Sequence, residues 1–241
     1  MDKTMWGLAA LVFCGAALAQ DAPRPATTAG DSWTYRNTKE LGPTGWTQTR
    51  DDITVTRVTS TSIYYTTHEA GSSQPLRDVI AGADWSRVRN VNGKETVVNQ
   101  PLAFPLVAGK TWTIEYREDH PNKVHHFEDW KSTYTVVGIE KVTVPAGTFD
   151  AIKVEAEGHW RAEMEPSSTV IQGAQTSANA TSMQTEARKV TAEPIEGRTY
   201  KALWYVPEQR RWVKSVEEYY SGNGVRNERY TAELESSKLA P

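Results

Sequence analysis

Along most of this chain apolar and polar residues alternate one for one, and no stretch carries the apolar stripe of an amphipathic helix. The plainest case is Thr111-Trp112-Thr113-Ile114-Glu115-Tyr116-Arg117. Successive side chains of a strand point to opposite faces, so Trp112, Ile114 and Tyr116 form its buried face and Thr113, Glu115 and Arg117 its wet one. The same rule sets Ile152, Val154 and Ala156 against Lys153, Glu155 and Glu157, and puts Trp33 and Tyr35 together. Residues 53–56 and 62–67 are rich in β-branched and aromatic types that favour strands. Further strands are predicted at 85–88, 95–98, 188–192, 199–206, 212–220 and 226–234.

Turn signals separate these runs. Gly30-Asp31-Ser32, Gly42-Pro43-Thr44-Gly45 and Ser221-Gly222-Asn223-Gly224 are three, and Asn92-Gly93 is the strongest, because both positions accept positive φ. Residues 101–109 are apolar but hold Pro101 and Pro105, which suits a buried loop or an edge segment. Residues 166–184 are rich in Ser, Thr, Gln and Ala and can bury little surface, so they are expected to form a mobile loop or hairpin tip. About ten short strands in successive hairpins predict an all-β fold. A long flat sheet would leave unpaired edges, so the sheet is expected to curve into a half-barrel or barrel.

The N-terminus reads differently. Residues 1–4 are polar with one cation, residues 5–16 are apolar, and Ala17-Leu18-Ala19 offers small residues for a cleavage site before Gln20. The expectation is a signal peptide over 1–19, cleaved after Ala19, a flexible leader over 20–29, and one β domain over 30–241. The apolar run is short of the roughly 20 residues a spanning helix needs, and no later segment is apolar enough to cross a membrane. Cys14 is the only cysteine, and Phe13 before it suits lipidation poorly. A mature chain without cysteine cannot be disulfide-stapled and must rely on its core, which fits a bacterial periplasmic or secreted protein. The roughly 220 residues left suit one domain.

Net charge is −3 with acids and bases interspersed, so the clustered Lys and Arg of a nucleic-acid footprint are lacking. The chain holds no Gly-x-Ser-x-Gly turn and no phosphate-cradling glycine loop, so no catalytic residue and no cofactor is assigned. His120, His125 and His126 sit among Glu118, Asp119, Glu128 and Asp129, donors that suit a zinc-type ion. Adjacent His125 and His126 would point to opposite faces of a strand, however, so a solvated turn around His120-Pro121 accounts better for the run and no metal site is assigned. Of the tryptophans, Trp33 and Trp112 fall on apolar faces. Trp46 and Trp130, flanked by polar residues, are the candidates for a ligand-stacking surface.

Two segments remain: Val144-Pro145-Ala146-Gly147-Thr148-Phe149-Asp150, and Trp204-Tyr205-Val206-Pro207 running on to Trp212-Val213-Lys214. The chain resembles, in these motifs, a widespread family of bacterial exported proteins of unknown function that pairs two such hairpins. The resemblance implies a curved, mostly antiparallel β architecture akin to the lipoprotein-carrier half-barrel, and carries over no catalytic residue. The chain departs from the pattern at Glu208-Gln209-Arg210-Arg211, where a Gly-containing turn is expected.

The reading that follows is a non-enzymatic exported protein binding an apolar or amphipathic envelope component, a lipid, lipoprotein segment or glycan, on the concave face of its sheet. A structural module presenting an edge strand or hairpin to an envelope protein is the alternative. A carboxylate-dependent hydrolase, which needs two acids across one cleft, is the third.

Overall fold

The computed structural model describes residues 22–177, 180–190 and 192–241. The expected signal peptide and its cleavage after Ala19 lie outside the described residues. Strands run β1 (Ser32–Leu41), β2 (Trp46–Val58), β3 (Ser62–Glu69), β4 (Arg77–Gly82), β5 (Arg87–Val91), β6 (Lys94–Asn99) and β7 (Thr111–Asp119). They continue as β8 (His125–Val144), β9 (Gly147–Met164), β10 (Ser167–Ser177), β11 (Ala180–Val190), β12 (Ile195–Val206), β13 (Arg211–Ser221) and β14 (Arg226–Lys238).

Ten of them form one antiparallel sheet in the order β4-β3-β2-β1-β14-β13-β12-β9-β8-β7, curved but not closed. The all-β expectation holds in its half-barrel form. The order departs from a simple meander at two places. β1 pairs with β14, bringing the two ends of the domain together, and β9 pairs with β12 across the excursion of β10 and β11. Those two strands pair only with each other, from Ser167 opposite Val190 to Ser177 opposite Ala180, so residues 166–184 fall largely within a hairpin ladder. The strand expected at 85–88 begins only at Arg87. Trp85 instead occupies a turn with φ +62°.

Both motif hairpins form, each for a local reason. Pro145 and Ala146 make the β8–β9 turn between Val144 and Gly147, and the Ala146 N–H donates to the Leu234 carbonyl at 2.9 Å. Pro207 begins a short 3-10 turn (Pro207–Gln209) after β12, and Arg210 closes it with φ +56°. That is a backbone conformation glycine adopts freely and arginine does not. Arg210 is held there by its side chain, whose Nη1 donates to Asp31 at 2.9 Å and to the Ala240 carbonyl at 3.2 Å. Asp31 is fully buried and also accepts from the N–H groups of Thr28 and Ala240, both at 2.9 Å. One carboxylate thus joins the chain ends to the β12–β13 turn. The leader, expected to be flexible, is docked at Ala22, which exchanges two backbone bonds with Leu106.

The sheet's inner face carries Trp33, Ile63, Tyr134, Val154 and Tyr205, all buried, and the 101–109 segment packs onto it through Leu102 and Leu106. This confirms the segment as a buried loop. The β5–β6 hairpin, turned at Asn92 and Gly93 with positive φ at both, lies beside β7. The Asn92 side chain donates to the Arg117 carbonyl at 3.1 Å and accepts from the Asp119 N–H at 2.9 Å, covering backbone that an edge strand would otherwise expose.

Replacing Asp31 by Ala should cost about 3–5 kcal/mol, the penalty for breaking a buried, hydrogen-bonded charge pair, read as a lower urea midpoint. Glu155, on the outer face, gives a pH test. A hydrogen bond from Lys153 at 2.9 Å, with a second from Tyr200 at 2.8 Å, holds its carboxyl below the ordinary 4.5 against the opposing effect of burial. A depressed carboxyl contributes stability that is complete above its unfolded pKa and lost as pH falls through its folded one. The gap in melting temperature between wild type and Glu155→Gln should therefore be constant above pH 4.5 and close steadily below it.

Candidate functional site

The β5–β6 hairpin and the 101–109 loop cover only part of the inner face, and a trough remains between them and the sheet. Its floor is built by register. Along β7 and β8, Trp112 stacks on Tyr134 with ring centroids 5.3 Å apart, and four residues further on Tyr116 stacks on Trp130 at 6.4 Å. Trp130 in turn stacks on Trp160 of β9 at 6.0 Å, making a row of three rings across three strands.

Counting back from the β8–β9 turn alone would set Trp130 opposite Arg161. A bulge between Val136 and Gly138 shifts the ladder by one residue and brings Trp160 opposite instead. Beyond Trp160 the row ends on Gly197, where a Cβ would come within 2.5 Å of the indole nitrogen. Between the two aromatic rows lie Ser132, Gly158 and Thr199, and a Cβ on Gly158 would meet the Thr199 hydroxyl at 2.3 Å. Small residues thus keep a low step in the floor.

Two connected hollows make up the trough. One, about 390 Å³, lies over Ile114, Tyr116, Trp130, Ser132 and Tyr219. The other, about 560 Å³, lies over Tyr65, Trp85, Leu203, Arg211 and Trp212. Both are lined by Arg87, Arg89, Asn99, Tyr134, Lys201 and Glu217, so they form one space. A larger hollow of about 870 Å³ spans both faces' residues on β7 to β9. Two pairs of its charges neutralise each other, Lys131 with Glu115 at 3.0 Å and Arg117 with Asp129 at 3.8 Å.

At the inner end of the trough Trp85 packs edge-on to Trp33, Tyr65 and Trp212, at centroid distances of 5.8, 5.6 and 5.9 Å. Bulky residues at positive φ are strained, and such strain persists only where packing over-determines it. These three rings supply that packing. Arg211 lies over the same cluster, 3.9 Å from the Trp85 ring and 4.2 Å from that of Trp212. Burial raises the pKa of Tyr134, which keeps its hydroxyl protonated to donate to Asn99 at 2.6 Å.

The two tryptophans singled out from sequence are separated. Trp130 is half-buried at the centre of the aromatic row, and its Nε1 donates to Glu128 at 2.9 Å. Trp46 is 66% exposed and stands opposite Glu40, one register step from the inner-face pair Lys39 and Thr47, so it points to the outer face. Sequence reasoning missed Trp160, Trp85 and Arg211. The basic run at 208–211 was the one signal for Arg211.

The histidine run also resolves. His125 pairs with Glu128 at 2.6 Å. His120 and His126 come together with Glu165, from the end of β9, and the ligand-type atoms of all three lie within 4.8 Å of one another. The hydrogen bond between His120 and Glu165, 2.5 Å, holds the Glu165 carboxyl below its usual range.

No family model matches the chain, and no curated protein matches it. The motif resemblance therefore rests on the two hairpins. Among solved structures, a "putative lipoprotein" of Parabacteroides distasonis aligns with 91% of this chain and all of its own at 18% identity, with a TM-score of 0.46. A "putative exported protein" with a YmcC-like fold from Bacteroides fragilis aligns over the same shares at 16% identity, with a TM-score of 0.40. Likeness at this level speaks for no ligand and no reaction.

Trp85→Ala should lower stability by about 3–5 kcal/mol, the usual cost of emptying a buried indole site, measured by urea unfolding. Trp85→Phe should recover part of the loss.

Proposed function

We propose that this is an exported binding protein that holds an amphipathic envelope component, a lipid or lipidated segment, in the trough. The observation that carries the reading is the open aromatic floor: Tyr116, Trp130 and Tyr134 line a hollow beneath the hairpin, with Ser132 and Thr199 as a low step among them. Open, largely apolar concavities with a few placed polar groups are the usual form of small-ligand sites. Arg77 and Arg87 on the rim suit a ligand with a polar end. Export is supported by the signal-like residues 1–19, and the mature chain is expected to begin at Gln20, which N-terminal sequencing of the exported protein would read.

A second reading has its own observation. β4 is an unpaired edge of the sheet, and Ile80 on it and Leu76 just before it are 60% and 63% exposed. An edge strand with exposed apolar side chains suits strand addition by a protein partner.

Titrating the purified chain with 1-palmitoyl-lysophosphatidylcholine below its micellar concentration should change the tryptophan emission saturably. Trp130→Ala should weaken that binding about tenfold, the loss of one stacked aromatic contact. A wild-type protein that binds none, and from which organic extraction and mass spectrometry release no lipid, would remove the trough reading in favour of the edge-strand one.

A further inference from the structure

We propose that Arg211 anchors the anionic group of the ligand, so that the trough is a site for an anionic amphiphile, a carboxylate or phosphate at the Trp85 end and an apolar body along the aromatic floor. This rests on the trough reading above and adds the charge and direction of what the trough holds.

Arg211 is 5% exposed, and its Nε and Nη1 atoms are buried without an acceptor. Four rings surround its guanidinium carbon, those of Trp85 and Trp212 at 3.9 and 4.2 Å and those of Trp33 and Tyr35 at 5.4 and 5.7 Å. Ring faces attract a cation but do not replace an oxygen acceptor for its N–H groups. The Trp85 Nε1, in the ring stacked on this guanidinium, is a further buried donor without a partner. The site is thus a cluster of buried donors beside the neutral Tyr35 hydroxyl, with no carboxylate paired to Arg211 among the described residues.

Among the described residues no carboxylate completes it. Tyr35 cannot serve as a counter-ion, because burial pushes its hydroxyl up to about 12, with Arg211 only partly opposing, and it donates its proton to the Trp212 carbonyl. Glu217, the carboxylate lining this part of the trough, is paired with Lys201 at 3.4 Å. Glu118 is taken by Arg89 at 2.6 Å. The preceding residue makes the contrast plain. Arg210 has a buried carboxylate built for it in Asp31, and Arg211 has none.

A buried ion left without its partner costs several kcal/mol. The same cation, walled by rings and opening on a cavity, gains what it lacks when an anion arrives. A guanidinium fork matches carboxylate and phosphate oxygens bidentately. Arg77 and Arg87, exposed on the same cavity and without a salt bridge among the described residues, add positive potential at its mouth.

The test compares matched probes on the full mature chain by calorimetry and tryptophan emission, below micellar concentrations. Palmitate and 1-palmitoyl-lysophosphatidate carry the anion as carboxylate and phosphate, and hexadecanol carries neither. Both anions should bind at least about tenfold tighter than the alcohol, the worth of a charged hydrogen bond, and the tighter of the two identifies the headgroup. Arg211→Gln should bring both anions down to the affinity that the same variant shows for the alcohol. Arg211→Lys, which keeps the charge without the fork, should hold an intermediate preference and serves as the readout if the Gln variant does not fold. Equal binding of alcohol and anions by the wild type, or an anion preference that survives Arg211→Gln, would overturn the anchor and leave the trough reading standing. A wild type that binds none of the three overturns both.

Discussion

A half-barrel keeps its curvature only if something ties distant strands together across its inner face, and here that tie is the stack of aromatic rings around Arg211. Its members come from β1 (Trp33, Tyr35), from the turn after β4 (Trp85) and from the start of β13 (Arg211, Trp212). Edge-on aromatic pairs add about 0.5–1.5 kcal/mol each beyond the area they bury. A desolvated cation over a ring adds about 2 kcal/mol. Against these stand the several kcal/mol of desolvating a guanidinium that has no carboxylate partner. The terms are of similar size, so the stack is better understood as fixing which strands meet than as a large source of stability. It also accounts for the left-handed backbone of Trp85, whose indole is held edge-on to Trp33 and Trp212.

The two faces of the sheet treat charge differently. On the outer face charges come in closed sets: Glu233 with Arg36 and Lys214, Lys153 with Glu140 and Glu155, and Arg226 with Glu40 and Glu218. Exposed pairs of this kind are worth little each. The inner face answers Lys201 and Arg89 but not Arg211. The cation buried without a carboxylate among the described residues is thus on the inner face.

What the sequence disclosed and what it hid divide along physical lines. Alternation in 111–117 and 152–157 reported strand and face correctly, because side-chain direction in a strand is a local property. Asn92-Gly93 reported its hairpin for the same reason, both φ values being positive. Pairing between strands is not local. The row of Tyr116, Trp130 and Trp160 depends on a one-residue bulge that no composition rule marks, and Trp130 was legible only as a tryptophan among polar neighbours. Trp46 looked the same by that criterion and stands on the opposite face. The β10–β11 ladder escaped because its polar residues resemble those of a loop, and the clustering of His120 and His126 with Glu165 because the carboxylate lies some forty residues away along the chain.

Why the sheet stops short of closure follows from the same parts. Closing it would require β4 to pair with β7, but the chain between them is spent on the β5–β6 hairpin and the 101–109 loop. The hairpin is fastened at one end by Asn92 to the backbone of β7 and enters at the other from Trp85, so it bridges the gap without filling it. A closed barrel of about eight strands has an interior that side chains fill or that holds one small ligand, walled all round. Leaving the seam to a hairpin instead keeps the aromatic floor and Arg211 on one continuous space. Arg87 and Arg89 of the hairpin line both hollows, and Arg211 lines the one at the Trp85 end, so the element that prevents closure also puts charge on that space.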